Sequence, residues 1–260
     1  MGSKAIQGHL WGQRPNDWAT IQEPTGISGY LHALDLLKLK ADNKLLDIGC
    51  GTGIFSDMAA KKGAQVTGID ASEQLIEQAK HRNATITFLN GEMEELPFDD
   101  GLFDVVCGFN SFQYAASTKN ALGEAWRVLK DGGKLVTMIW GNKEDCEAAT
   151  YLKTVGSLLP PPPPAAPGPF ALSENQLLEK VLAETGFRII ENTDIPSIWD
   201  YENIDIALKG LLSVGPAAKA IENSGFEKVY DTVLTAVQPY VQPNGHVVYK
   251  NKFRVVIAEK

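Results

Sequence analysis

Basic side chains are in short supply: 24 lysines and arginines stand against 32 aspartates and glutamates in 260 residues, a net charge of -8. That balance opposes a nucleic-acid footprint, which needs a basic stripe to displace counterions from phosphates. Cysteine is sparse too. Cys50, Cys107 and Cys146 are odd in number and widely spaced, so neither a disulfide framework nor a zinc site is indicated, and a reducing cytoplasm fits. No apolar run approaches the roughly 18 residues of a membrane span. Met1-Gly2-Ser3-Lys4 leads into polar sequence without the apolar core of a signal peptide, and Ile6 stands where N-myristoylation needs Ser or Thr. What remains is 44% hydrophobic content, enough for a sizeable core in one α/β domain with an elaboration.

The chain is organised around Leu45-Leu46-Asp47-Ile48-Gly49-Cys50-Gly51-Thr52-Gly53. It reads as a short apolar strand, a carboxylate near its end, then three glycines opening a helix that Gly63 can end. Glycines at such a turn let backbone approach a ligand where side chains would collide with it. The spacing selects the ligand. A dinucleotide fingerprint needs glycine at 54, where this chain has Ile54. Asp47 suits a cationic amino group, whereas it would repel a pyrophosphate.

A second apolar run, Val66-Thr67-Gly68-Ile69-Asp70, ends in a carboxylate about 20 residues beyond the first glycine, where a doubly wound fold places an acid on ribose hydroxyls. Ser72 is placed to cap the next helix. With Asn90-Gly91-Glu92-Met93-Glu94-Glu95-Leu96-Pro97-Phe98 and Arg127-Val128-Leu129-Lys130-Asp131-Gly132-Gly133, these stretches resemble the motifs of class I S-adenosylmethionine-dependent methyltransferases over residues 40 to 140. The resemblance is to the small-molecule branch that includes ubiquinone and menaquinone C-methyltransferases. Glu92 stands where that family usually has Asp, and Asp131 where it has Pro.

That resemblance implies a seven-stranded, mostly parallel, doubly wound sheet and S-adenosylmethionine as methyl donor, with S-adenosylhomocysteine as product. It implies that Asp47, Gly49, Cys50, Gly51 and Gly53 hold the methionine end, Asp70 and Ala71 the ribose, and Gly91, Glu92 and Met93 the adenine. Phe109, Asn110 and Gln113 would then face the reacting methyl, beyond a strand running from 103 to 109.

Along the chain, residues 4 to 28 read as irregular and aromatic, a strap over core surface or a lid over the ligand turn. Apolar spacing makes a helix from Gly29 to Lys40. Strand and helix then alternate to Trp140: strands 45–49, 65–69, 85–89, 103–109 and 134–140, helices 53–62, 73–81 and 118–129. Residues 41–145 form the expected donor-binding core, preceded by the strap and helix of 1–40. In 146–260 the expectations are a polyproline connector at 160–169, a capping box from Ser173 to Gln176 opening a helix that Gly186 ends, and a sixth strand from Arg188 to Ile195. Short helices over 200–237 would precede the last strand and cover the acceptor.

Methyl transfer from a sulfonium is an in-line displacement, so alignment in a dry cleft matters more than acid–base groups. His9, Tyr30, His32 and His246 are the available bases, and none is assigned a catalytic role. Trp11, Trp18 and Trp199 could wall a planar acceptor. Asn110-Ser111-Phe112-Gln113 lacks the tetrad of base-amino methyltransferases, and the positions after the fourth and fifth strands lack the acids of the magnesium-dependent catechol type, so no metal is expected. The function read from these residues is methyl transfer to a small, partly apolar or aromatic metabolite by a cytoplasmic monomer or homodimer, with no membrane or nucleic-acid partner. The alternatives are a donor-binding protein without turnover and a nicotinamide-dependent reductase.

Overall fold

The computed structural model describes residues 2–160 and 168–260. Seven strands form one sheet in the order β3-β2-β1-β4-β5-β7-β6. They are β1 (Lys44–Ile48), β2 (Gln65–Asp70), β3 (Thr87–Asn90), β4 (Phe103–Phe109), β5 (Leu129–Trp140), β6 (Arg188–Tyr201) and β7 (Val247–Glu259). The first five run parallel, and β7 lies antiparallel to both β5 and β6.

Successive strand residues feed opposite faces, and both faces are buried. Leu45, Val105 and Cys107 join one core, while Leu46, Ile48 and Val106 join the other. This is the reason the inner strands lack a polar side. Helices α4 (Ile54–Lys61) and α5 (Glu73–Arg82) follow β1 and β2, and α6 (Thr118–Val128) precedes β5. Ser72 caps α5, its hydroxyl accepting from the Leu75 amide. The chain reverses its direction across the sheet between β1 and β4, the switch point where such sheets open a crevice at their carboxyl edge.

The amino-terminal segment departs from the irregular strap expected. It folds as α1 (Lys4–Trp11), α2 (Pro15–Asp17), a wide π-turn at Trp18–Gln22, a 3-10 turn at Glu23–Gly26 and α3 (Ile27–Leu37). Local propensity did not announce these helices because packing makes them. Gly8 presses on the Ala71 carbonyl, too close for any side chain, and Leu10 is buried. Helix α3 starts two residues before the expected position and stops at Lys38 in the left-handed region, φ 48°.

The capping box at Ser173–Gln176 does not form. The Ser173 hydroxyl donates instead to the Trp140 carbonyl, and α8 (Leu177–Thr185) begins after Asn175 and Gln176 take φ of 52° and 57°. Gly186 ends α8 as expected, at φ 108°. Of the polyproline stretch at 160–169, residues 161–167 lie outside the described residues. In β5 the pairing jumps from Leu129 to Lys134, so the turn at 130–133 loops out of the ladder instead of preceding the strand.

Strand β6 runs on past Ile195 to Tyr201, paired with β7 as far as Tyr201–Val247. It can carry Pro196 because it is the sheet's edge. This ribbon rises beyond the sheet and supports α9 (Ile204–Leu211), α10 (Gly215–Ser224) and α11 (Phe226–Val237). Helices α10 and α11 pack with α7 (Ala148–Gly156), α10 also packs with α1, and α9 packs on the turn at Trp18–Gln22, so the two ends of the elaboration meet. No helix among the described residues is long and apolar enough to cross a membrane.

Candidate functional site

The glycine turn after β1 requires its glycines. Gly49, Gly51 and Gly53 have φ of 71°, 55° and 77°, a region that costs other residues about 1–2 kcal/mol. A side chain on Gly49 would collide with Ser111. The turn is tied to the end of β2, where Ile69 O accepts from Gly49 N at 2.8 Å and Cys50 N at 3.1 Å. Asp70 finishes the construction, accepting from Gly51 N at 2.9 Å through one oxygen and from Ser72 N at 2.8 Å through the other. Burial raises its pKa even so, although the amides pull the other way.

A cavity opens directly beside this turn. Of the residues singled out in the sequence, Gly49, Gly51, Asp70, Ala71, Gly91, Glu92, Met93, Phe109, Asn110 and Gln113 line it. Asp47, Cys50 and Gly53 do not. Asp47 is 2% exposed beneath the turn, accepts from Ser56 Oγ at 2.6 Å and lies 3.6 Å from Cys107 Sγ. Burial pushes its pKa up to about 7. Gly53 faces Phe88 and Ala79, so it serves helix-to-sheet packing.

Several polar atoms in the cavity wall have no partner among the described residues. Asn110 holds a left-handed φ of 51° that carries its side chain off β4, and its buried Oδ1 is unpaired. The same is true of Gln113 Oε1, Ser111 Oγ and Trp18 Nε1. Orphaned buried groups are costly and mark places where a ligand can complete the hydrogen bonding.

Glu23 was not legible as a site residue. It is 3% exposed, lines the cavity, and accepts from Thr52 N at 2.8 Å, from the Thr52 hydroxyl, and from Arg82 Nη1 at 2.7 Å. Burial raises its pKa against the opposing pull of Arg82. Its only sequence signal is that it is the one Asp, Glu, Lys or Arg between Asp17 and Asp35. At the cavity's far end Glu92 accepts from Lys4 N at 2.7 Å and from Ser3 Oγ at 3.3 Å, so α1 begins on that carboxylate.

The remaining wall is aromatic. Trp11 meets Trp18 edge-on at 4.9 Å and Tyr114 at 5.2 Å, and Trp140 lies 5.4 Å from Trp199. Among the described residues no Lys, Arg or His lines the cavity. His9 pairs with Glu222 at 2.6 Å and His246 with Asp200 at 2.7 Å, both away from it, and His32 also lies outside the lining. Burial lifts Tyr30 well above its ordinary pKa and Tyr114 to about 12, so both keep their protons at neutral pH.

Residues 46–137 match the family described as a methyltransferase domain. Over 108 residues the chain is 37% identical to malonyl-[acyl-carrier protein] O-methyltransferase of Erwinia pyrifoliae, covering 41% of each protein. It is 37% identical over 112 residues to demethylmenaquinone methyltransferase of Thermus thermophilus, covering 41% of this chain and 51% of that one. It is also 30% identical over 166 residues to the O-methyltransferase resE of Aspergillus sclerotiorum, 61% of this chain and 60% of that protein. The matched stretch thus spans less than two thirds of each of these relatives. The YcgJ protein of Bacillus subtilis shares the fold across 90% of this chain and 98% of its own, with a TM-score of 0.61 at 20% identity. The glycine turn and the acid ending β2 thus lie within residues 46–137, the stretch that matches a methyltransferase domain.

Proposed function

We propose that this protein transfers a methyl group from S-adenosylmethionine to a small, uncharged, apolar or aromatic acceptor, and releases S-adenosylhomocysteine. The observation that carries the reading is the one cavity in which the glycine turn, Asp70 and Glu92 form one end and a shell of tryptophans and tyrosines forms the other. Three carboxylates, those of Glu23, Asp70 and Glu92, face it without a lining cation. That charge balance favours a cationic sulfonium over its neutral product.

The donor supplies an electrophilic methyl group when bound. Everything else is positioning. Gly49 and Gly51 leave room for a ligand against the backbone, and Asp70 has acceptor capacity left for a diol. Asn110 and Gln113 offer unpaired carbonyl oxygens at the end of β4. The core of 41–145 thus holds the donor, while 1–40 and 146–260 enclose the acceptor and exclude water. With the lining tyrosines protonated and no imidazole present, the acceptor must bring a nucleophile that is reactive as it stands or loses its proton readily, such as a thiol, an acidic phenol or a neutral amine. Three buried free thiols suit a reducing cytoplasm. We take the working unit to be a monomer or homodimer.

Calorimetry with S-adenosylmethionine, S-adenosylhomocysteine and a nicotinamide dinucleotide tests the donor, and a panel of uncharged phenols, quinols and aryl thiols with anionic counterparts tests the acceptor. Binding of the sulfonium and turnover confined to uncharged acceptors is expected. Binding of the nicotinamide alone, or turnover only of anionic acceptors, would overturn the reading.

A further inference from the structure

The donor's amino-acid end is a zwitterion, so its pocket needs a hydrogen-bond acceptor and a donor side by side. Asp47 does not face the cavity, and its carboxylate is already engaged with Ser56 and Cys107. A different pair meets both needs. A Cβ built on Gly51 would lie 2.8 Å from Glu23 Oε1 and 3.3 Å from Trp18 Nε1. Both side chains therefore converge on the bare face of the middle glycine. Both come from one short stretch, the π-turn at Trp18–Gln22 and the 3-10 turn after it. Wide turns of this kind are uncommon and often occur at functional sites.

Their hydrogen bonding is incomplete in complementary ways. Trp18 Nε1–H is a buried donor with no partner among the described residues. Glu23 Oε1 accepts only from Thr52 N, while Oε2 takes the Thr52 hydroxyl and Arg82. A carboxylate oxygen has capacity for a second bond, so Oε1 keeps one open. Arg82 also donates to Ala19 O at 3.3 Å, which fixes the π-turn against α5. The acceptor and the donor are thus held in place before any ligand arrives.

We propose that Glu23 receives the α-ammonium group of S-adenosylmethionine and that Trp18 Nε1–H donates to its carboxylate. The amino-terminal segment, and not Asp47, then anchors the methionine end over Gly51. This rests on the reading of the cavity as a donor site, and it goes further by assigning one half of the ligand to a segment outside the 46–137 core.

The test compares two ligands on the full chain by calorimetry: S-adenosylhomocysteine, and 5′-methylthioadenosine, which carries the same nucleoside thioether without the amino acid. Wild-type protein is expected to bind the first more tightly. Glu23→Gln should weaken S-adenosylhomocysteine by about 10- to 100-fold, the range of a hydrogen bond to a charged group. It should change methylthioadenosine by less than about 3-fold. Trp18→Phe should cost S-adenosylhomocysteine less, about 3- to 10-fold, again sparing methylthioadenosine. Should Glu23→Gln fail to fold, Glu23→Asp decides: it keeps the charge for Arg82 but withdraws the oxygen from Gly51, so the gap between the two ligands must narrow. Equal weakening of both ligands would make Glu23 a support for the turn only, and an unchanged S-adenosylhomocysteine affinity would remove it altogether. Either result overturns the proposal, as does loss of the gap in Asp47→Asn with its retention in Glu23→Gln. Wild-type protein that binds both ligands equally well overturns this assignment alone; wild-type protein that binds neither overturns the donor reading beneath it.

Discussion

The half proposed to hold the donor and the half that encloses it are built by different rules. Around β1, β2 and β4 each residue's duty follows from its neighbours in the chain: glycines at positive φ, an acid at a strand end, a serine capping a helix. In the enclosing half, partners are far apart in sequence. Tyr201 Oη donates to Gln22 Oε1 at 2.8 Å, Gly215 packs on Trp11, and Glu23 reaches Thr52 and Arg82. The first half can be recognised from short motifs, whereas the second exists only once the chain has folded.

The largest expected effect isolates the donor half. Asp47 has an ordinary pKa of 3.8 that burial raises to about 7. For a raised acid, the native state holds its proton where the unfolded chain has lost it. Its contribution is therefore complete below pH 3.8 and is lost as pH climbs to 7, then stays constant. Wild-type stability relative to Asp47→Asn should thus fall by about 4 kcal/mol between pH 3 and 8, by urea unfolding at each pH. A flat difference would show that Asp47 is ionised throughout. Arg82→Met cuts the main cross-link and leaves Glu23 buried without its cation. Stability should drop by about 3 kcal/mol at pH 7.5, and a loss below about 1 kcal/mol would mean that the halves do not depend on this pair.

Asp70→Ala removes two amide contacts and the expected ribose acceptor. Donor affinity should fall by roughly 2–3 kcal/mol in calorimetry, and unchanged affinity would refute the assignment. The smallest effect separates the halves again. Asn203 Oδ1 accepts from Ile206 N at 2.9 Å and caps α9 on the enclosing side, as Ser72 caps α5 on the donor side. Asn203→Ala should cost about 1 kcal/mol of stability. Its donor affinity should stay at the wild-type level, and a loss there would show that the enclosing helices reach the donor directly.

Particular residues show how much was legible beforehand. Gly49 and Gly51 could be read as a turn because glycine fits its positive φ, and Asp70 as the strand-end acid that ties that turn to β2. Asp47 lies outside the cavity lining, and its position in the motif says nothing of the Ser56 hydroxyl that a turn of α4 swings over it. Likewise Ser173 and Gln176 carry the letters of a capping box, but the Trp140 carbonyl is a better partner for that hydroxyl than the amides of α8.

The alternating strands, the glycine turn, the acid after β2 and the cap of α5 were legible in the sequence alone, because each shows as a pattern of a few adjacent residues. Tertiary structure alone decided that residues 4–26 are helical, that Glu23 and Trp18 face Gly51, and that Asp47 is sealed away. Those outcomes depend on desolvation and on contacts between segments tens to hundreds of residues apart, which no local pattern encodes.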